Sequence, residues 1–238
     1  MCGRYTLHTE KEALAERFEF DAADLRVLPP RYNVAPSDQV LALVERDGAR
    51  KPVFMRWGLV PSFAASERGP AHMINARIET LARNGAFRDS LRARRCLIPA
   101  DGFYEWQATS KLAKHKLPHL VARADGRPFA MAGLFAEWRP RDALLAEALV
   151  SCTIVTTDAN AAVRPLHDRM PVILPRESEA RWLDPTLNGD IQALLALLEP
   201  VAAAELATRP VSRKVNSVKN DDPSVLVPDP KEPSLGFF

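Results

Sequence analysis

Cysteine occupies position 2 of the chain, directly after the initiator methionine. Once Met1 is removed, Cys2 carries a free amine two bonds from its thiol-bearing carbon, a pair that no internal cysteine offers. Amino-terminal amines have a pKa of about 7.7–8.0 and free thiols one of about 8.5, so both groups are partly nucleophilic near neutral pH. Such an aminothiol condenses with an aldehyde, first to an imine and then to a five-membered thiazolidine. Taken alone, residue 2 fits an unused chain start more readily, because most termini are frayed. The chemistry therefore depends on the residues that follow.

Two further side chains are suited to proton transfer. Glu105 lies between aromatic residues, in the run Phe103-Tyr104-Glu105-Trp106. A carboxyl group that points into an aromatic-walled pocket loses hydration, which raises its pKa and suits it to proton transfer near pH 7. His167 titrates near neutral pH and can protonate an oxygen atom of a substrate. Read singly, the glutamate fits a solvent-facing strand position and the histidine a surface loop.

Composition narrows the class of protein. The chain has 238 residues, 47% hydrophobic and 26% charged, which is ordinary for a globular protein. Its net charge of +2 neither requires nor excludes a nucleic acid partner. The cysteines are odd in number and widely spaced, which fits neither a disulfide framework nor a zinc motif, and we predict no metal or other cofactor. No signal peptide or membrane helix is recognisable, so a cytoplasmic monomer without membrane contact is expected.

The elements that must position these residues are mostly strands joined by turns. Asp47-Gly48 and Asp125-Gly126 are typical of hairpin turns, and a further strand is predicted over residues 91–98. Thr9 and Glu12 have the spacing of a capping box at the start of a helix.

Strands and helices do not alternate regularly, which favours an α+β fold. We predict a single domain built on a curved, mainly antiparallel β-sheet or barrel with flanking helices. The domain is expected to cover residues 2–222, and the Pro-rich residues 223–238 are expected to form a flexible tail.

A series of short motifs has the residues and the order found in one protein family. The chain resembles the SRAP family, the SOS response-associated peptidases or abasic-site processing proteins. The resemblance extends from residue 2 to residue 220. Its motifs are Cys2-Gly3-Arg4-Tyr5, Arg31-Tyr32-Asn33-Val34-Ala35-Pro36, Trp57-Gly58, Ile74-Asn75-Ala76-Arg77-Ile78-Glu79-Thr80, Gly102-Phe103-Tyr104-Glu105-Trp106, His167-Asp168-Arg169-Met170-Pro171, Val211-Ser212-Arg213 and Val218-Lys219-Asn220.

The resemblance implies the SRAP fold and a role in the DNA damage response. It implies that Cys2, after removal of Met1, forms a thiazolidine with abasic sites in single-stranded DNA and so shields the lesion. By the same resemblance, Glu105 moves protons and His167 protonates the sugar ring oxygen as the abasic site opens to the aldehyde. Asn75 holds the opened sugar or the Cys2 amine. The other histidines are assigned no role.

Contacts with DNA are predicted at further positions near these residues. Arg4, Arg77 and Arg169 each lie within two residues of a proposed catalytic position and together suit a cradle for phosphates. Asn33 is assigned to the same DNA-binding group, although its amide fits a structural role equally well. Phe63 is the candidate for stacking on a base.

Two other functions remain open at this stage. One is an amidohydrolase or glutamine amidotransferase with an N-terminal nucleophile, in which the terminal amine acts as base and the thiol attacks an amide. The other is a single-stranded DNA binding module without covalent chemistry, in which Cys2 is incidental. Peptidase activity is expected only for the removal of Met1.

Overall fold

The computed structural model describes residues 2–67, 73–108, 116–141 and 147–228, and within them it contains two β-sheets flanked by α-helices. The strands are β1 (Tyr5–Leu7), β2 (Arg31–Val34), β3 (Gln39–Arg46), β4 (Ala49–Trp57), β5 (Asn75–Arg77), β6 (Arg95–Ala100), β7 (Gly102–Ala108), β8 (Lys116–Arg123), β9 (Phe129–Trp138), β10 (Leu149–Asp158), β11 (Arg169–Pro171), β12 (Ile173–Leu174) and β13 (Leu206–Pro210). The α-helices are α1 (Lys11–Phe18), α2 (Ile78–Leu81), α3 (Gly85–Ala93), α4 (Arg176–Leu183) and α5 (Ile191–Ala196). Within these residues, no helix is both long enough and apolar enough to cross a membrane.

The larger sheet closes into a barrel. Strand β10 pairs with β4 on one side and with β9 on the other, and the circuit is completed by β3 and β6. Most of these pairings are antiparallel, although β10 is parallel to both β4 and β5. Closure leaves no free edge among the barrel strands. The predicted α+β class with a mainly antiparallel barrel is confirmed.

The hairpin between β3 and β4 follows from its sequence. Residues 40–44 of β3 are all buried, as expected for an apolar strand covered on both faces. Asp47 and Gly48 both have positive φ, 55° and 79°, which a two-residue type I′ turn requires. The hairpin predicted at this turn is therefore confirmed.

The smaller sheet has the strand order β13-β8-β7-β1-β2 and separates two cores. On one face, Tyr5, Phe103 and Val121 belong to the main core, which they share with the barrel. On the opposite face, Tyr104 and Leu120 pack in a second core that the C-terminal part of the chain covers. Alternate residues of β7 therefore belong to different environments.

Close packing within the smaller sheet depends on a glycine at the start of β7. A Cβ atom at Gly102 would lie 2.8 Å from Leu120 Cδ1 and 2.9 Å from the Val121 carbonyl oxygen. Both distances are shorter than carbon contacts allow, and one of the atoms belongs to the backbone. Only glycine lets β7 lie this close to β8.

Three local predictions were wrong. The turn at Asp125-Gly126 does not form a hairpin, because β8 and β9 belong to different sheets and the turn carries the chain from one to the other. The capping box does not form either, because Glu10 is the N-cap of α1 and the Thr9 hydroxyl donates to Asp101 instead. The strand predicted over 91–98 begins only at Arg95, because residues up to Ala93 form the end of α3.

The packed structure continues beyond residue 222. Residues Pro223–Leu226 form a 3₁₀ helix that Asp222 caps, and Val225 is fully buried in the second core. This burial explains why the chain is held here although its Pro-rich sequence suggested a tail. The rest of the predicted tail, residues 229–238, lies outside the described residues.

Candidate active site

Cys2 precedes β1 in the chain, and its side chain is fully buried. Its carbonyl oxygen accepts a hydrogen bond from Asn75 Nδ2 at 2.9 Å, and the backbone N–H of Arg4 donates to its sulfur. Burial raises the pKa of the Cys2 thiol well above its usual range, and the negative charge of Glu105 raises it further. The sulfur is therefore held as a neutral thiol that needs a base before it can attack.

Glu105 provides a carboxyl group next to this thiol. Its strand β7 pairs with β1, and Glu105 lies on the same face as Phe103 and Tyr5, the face of the main core. The residue is only 3% exposed, and desolvation raises the pKa of its carboxyl group. The ammonium group at the start of the chain, Lys116 and the Trp106 N–H oppose this effect. The side chain is thus dehydrated, on a face of the sheet that also carries Phe103 and Tyr5.

Asn75 connects the site to the barrel. It begins β5, which lies parallel to β10 and places Asn75 beside Ile154. Its Nδ2 atom donates a hydrogen bond to the Cys2 carbonyl, whereas its Oδ1 atom is buried and has no hydrogen-bond partner within the described residues. A buried amide oxygen without a donor is unfavourable. It is therefore suited to accept a hydrogen bond from a group that enters the site.

His167 lies just before β11, after the turn that follows β10. The backbone N–H of Arg169 donates to its Nδ1 at 2.9 Å, so the neutral ring carries its proton on Nε2. Desolvation lowers the pKa of His167, and the positive charges of the chain's amino group and of Lys116 lower it further. The positive charge of Lys116 thus lowers the pKa of both His167 and Glu105, so both side chains lie within reach of the same cation.

The comparisons with known proteins agree with this geometry. Residues 1–218 match the family model described as SOS response associated peptidase (SRAP). The chain belongs to the SRAP family.

Its curated relatives include the abasic site processing proteins YoqW and YoaM of Bacillus subtilis. YoqW is 40% identical over 231 residues, which are 95% of this chain and 99% of YoqW. YoaM is 38% identical over 227 residues, which are 95% of this chain and 97% of YoaM. A crystal structure of a Bacteroides thetaiotaomicron protein has the same fold, with a TM-score of 0.83 and 23% identity, and the match covers 96% of this chain and 100% of that one.

Arg4 and Asn33 of this SRAP chain form a clasp on its C-terminal segment. The Arg4 guanidinium donates to Asn33 Oδ1 and to the Val215 carbonyl, both at 2.8 Å. Asn33 Nδ2 donates to the carbonyls of Val215, Ser217 and Asn220 at 2.8–3.2 Å. Asn33 is 1% exposed, so its assignment to a direct DNA contact does not fit its position. Its amide supports the chain and Arg4 instead.

Arg169 is engaged by two acidic side chains. Its guanidinium donates to both carboxylate oxygens of Glu79, at 2.5 and 3.0 Å, and to Asp158 at 2.7 Å. It also donates to the Thr156 carbonyl at 2.9 Å. Glu79 and Asp158 are the exposed partners of this cluster, whereas only 12% of the Arg169 side chain is accessible. A phosphate at this position would have to compete with Glu79.

The remaining predicted DNA contacts are accessible. Arg77 ends β5 beside Asn75 and has an exposed side chain. Phe63 lies in the loop after β4, is 60% exposed, and its carbonyl accepts a weak hydrogen bond from Arg141. Part of that loop, residues 68–72, lies outside the described residues.

Sequence reasoning missed three contributors to the site. Lys116 and Glu79 act through charge on residues distant in the sequence. No local pattern distinguishes Lys116 from an ordinary surface residue, and the motif that contains Glu79 does not show its pairing with Arg169. Asp221 accepts the backbone N–H groups of Tyr32 and Asn33 and pairs with Arg31. Its position directly after the motif ending at Asn220 was the available signal. Among the described residues, no group of three or more acidic, cysteine or histidine side chains is arranged to hold a metal ion.

Proposed function

We propose that this protein captures abasic sites in single-stranded DNA as a covalent thiazolidine on Cys2, after removal of Met1. The observation that carries the proposal is the surroundings of Cys2: a buried thiol, beside a carboxyl group of raised pKa, with its backbone fixed by Asn75. The names of YoqW and YoaM, both abasic site processing proteins, support the choice of substrate.

The first step of the proposed reaction opens the sugar. An abasic deoxyribose is mostly a closed hemiacetal, which offers no carbonyl group to a nucleophile. Protonation of its ring oxygen favours opening to the C1′ aldehyde. His167 suits the role of hydrogen-bond donor to this ring oxygen, because the Arg169 N–H occupies Nδ1 and leaves the N–H of the neutral ring on Nε2.

The second step joins the protein to C1′. The Cys2 amine attacks the aldehyde, and the resulting carbinolamine loses its hydroxyl group as water after Glu105 supplies a proton. The Cys2 sulfur then adds to the iminium carbon and passes its proton to the Glu105 carboxylate. Overall, C–N and C–S bonds form at C1′, the carbonyl oxygen leaves as water with one amine proton and the thiol proton, and Glu105 returns to its initial state. Asn75 Oδ1 is a suitable acceptor for the Cys2 amine or a sugar hydroxyl.

DNA is held by residues around this centre. Arg77 is exposed beside Asn75 and is suited to bind a flanking phosphate. Arg169 contributes once a phosphate replaces Glu79, and Arg4 supports the C-terminal segment. Phe63 provides an exposed ring for stacking, an interaction of about 1–3 kcal/mol per base. Peptidase activity is confined in this proposal to the removal of Met1.

The experiment uses Met1-free protein and a single-stranded oligonucleotide with one abasic site, analysed on a denaturing gel. The wild type should form an adduct that survives denaturation, Cys2→Ala none, and Cys2→Ser at most a labile one. Cys152→Ala is the matched control, because this fully buried cysteine lies in the barrel and should not affect the adduct. A complex that dissociates in denaturant would support the DNA-binding module instead, and release of ammonia from glutamine the amidotransferase. Either result, or a stable adduct with Cys2→Ala, would refute the proposal.

A further inference from the structure

Trp57 belongs to one of the family motifs, yet the reaction outlined above does not use it. It ends β4 and is only 1% exposed. Its indole Nε1 donates a hydrogen bond to the carbonyl oxygen of Ile74 at 3.0 Å. Ile74 directly precedes Asn75, so this bond holds the backbone from which the Asn75 side chain extends.

Strands β4 and β5 lie one after the other along the same edge of β10. β4 pairs with β10 at Cys152 and β5 pairs with it at Ile154, both in parallel. Because Cys152 and Ile154 also pair with β9, both strands lie on the edge of β10 that faces away from β9. The chain passes from β4 to β5 through the loop that carries Phe63. A contact from β4 to β5 therefore fixes where the chain resumes along β10 after this loop.

Trp57 provides such a contact at the residue before β5. The Ile74 carbonyl accepts the backbone N–H of Ile154 at 3.1 Å and the indole N–H of Trp57 at 3.0 Å. These two donors use both lone pairs of the oxygen. The first bond sets the pairing with β10, and the second ties the same peptide group to β4. Without the indole N–H this peptide group is held from one side only, and so is Asn75, which follows it.

The same indole contacts the strand that follows Cys2. The rings of Trp57 and Tyr5 meet edge to face, with centroids 5.4 Å apart and planes at 61°, an arrangement that aromatic pairs prefer. Tyr5 begins β1, three residues after Cys2. Asn75 Nδ2 donates to the Cys2 carbonyl. Trp57 thus touches both of the elements that this hydrogen bond joins.

We propose that Trp57 is a positioning residue that holds Asn75 against the Cys2 backbone, an inference that rests on the proposed function of this site. The indole N–H fixes the start of β5 and the ring packs on β1, so Asn75 Oδ1 stays aimed at the group that enters beside the Cys2 amine. Trp57 acts through Asn75 and not on the reacting atoms. Loss of its N–H should therefore slow the reaction at C1′ and leave the docking of DNA unchanged.

The test is Trp57→Phe, which keeps an aromatic ring and removes the N–H donor. A misplacement of about 1 Å can cost about 100-fold in rate, and we expect crosslink formation to slow by about tenfold or more. Affinity for a tetrahydrofuran analogue of the abasic site, which offers no aldehyde, should be unchanged. β-(3-Benzothienyl)alanine at position 57 has sulfur in place of N–H and the shape of tryptophan, so it should give the same result and carries the test if Trp57→Phe does not fold. Crosslinking at the wild-type rate without the N–H would overturn the inference.

Trp182→Phe is the matched control. Trp182 is also fully buried, and its Nε1 donates to the Cys96 carbonyl of β6 at 3.1 Å. Its replacement removes the same kind of hydrogen bond and should lower the stability in urea, but it should leave the crosslinking rate unchanged. An equal loss of rate in Trp182→Phe would show that destabilisation alone slows the reaction, and the role of Trp57 would be refuted.

A second readout needs no DNA. Exchange of the Asn75 Nδ2 protons with water is followed by NMR, because Nδ2 donates to the Cys2 carbonyl. Exchange should be faster in Trp57→Phe than in the wild type and unchanged in Trp182→Phe. If the wild type forms no adduct but this difference is found, the proposed function is refuted and the placement of Asn75 by Trp57 stands. Exchange that is the same in Trp57→Phe and the wild type would refute the role of Trp57 alone.

Discussion

Asn33 offers a clear test of whether a family-motif position that the sequence assigns to DNA binding instead holds the folded chain together. Its amide is buried, donates to three backbone carbonyls of the C-terminal segment and accepts from Arg4. Replacement by alanine removes the amide from these carbonyls and leaves Arg4 only its hydrogen bond to the Val215 carbonyl. We expect the variant to fold less stably while its affinity for abasic DNA stays unchanged.

The size of the effect follows from the bonds that are lost. The two amide protons supply no more than two full hydrogen bonds, each worth about 1 kcal/mol, and the bond from the charged Arg4 adds about 1.5–3 kcal/mol. Because the bonds form one network, their sum is an upper bound, and we expect a loss of about 3 kcal/mol. In a chain of this size that lowers the melting temperature by about 6–12 °C.

Urea unfolding and calorimetry measure the stability, and fluorescence anisotropy with an abasic oligonucleotide measures the affinity. Asn188→Ala is the matched control, because Asn188 is exposed at the end of a 3₁₀ helix and should change the stability by less than about 0.5 kcal/mol. If Asn33→Ala instead has wild-type stability and a markedly weaker affinity for DNA, then Asn33 contacts DNA directly and its hydrogen bonds to the C-terminal segment do not stabilise the fold.

Three further predictions concern acidic residues. The raised pKa of Glu105 means that the folded protein binds more protons than the unfolded chain, whose glutamates have a pKa of about 4.3. The free energy of unfolding therefore falls as the pH rises between the folded and unfolded pKa values. Glu105→Gln should stabilise the protein more at pH ~8 than at pH ~4.5, as measured by urea unfolding. Glu179 is fully buried and pairs with Arg17 and Arg50. Glu179→Gln should therefore cost about 3–5 kcal/mol of stability, whereas Glu177→Gln on the exposed face of the same helix should cost little. Equal melting temperatures for the two variants would contradict this prediction. Glu79→Gln removes the carboxylate that competes with phosphate for Arg169, so it should tighten DNA binding severalfold at low salt. An affinity that matches the wild type at every salt concentration would show that Arg169 does not bind phosphate.

The barrel strands were predictable where sequence and local geometry agree. The apolar run of β3 and the turn at Asp47-Gly48 specify a hairpin whatever lies around them. The Asp125-Gly126 turn has the same residue types, yet its flanking strands pair with partners distant in the sequence. A turn fixes the local direction of the chain, whereas the choice of partner strand depends on the packing of both cores. Sheet assignment therefore could not be read from the turn.

The same distinction separates the parts of the site. Glu105 was recognisable because it lies among aromatic residues in the sequence, although of these only Phe103 shares its face of β7. Asn33 was harder to interpret, because its partners are about 180 residues away and only the folded chain brings them to its amide. The register of β7 and β8 shows no local signal either, and a shift of one residue along β7 would turn Glu105 to the other face of the sheet.

Burial of Cys2 imposes an order on the proposed reaction. A thiol whose pKa is raised by desolvation is a poor nucleophile until a base removes its proton, and Glu105 is the base beside it. Burial also raises the pKa of Glu105, which favours the protonated form that the proposed transfer to the leaving hydroxyl group requires. Ring closure by sulfur is then possible only after dehydration to the iminium. An exposed thiolate would attack the aldehyde directly and give a reversible hemithioacetal. In the buried site the thiol stays protonated until the C–N bond has formed, which favours the thiazolidine.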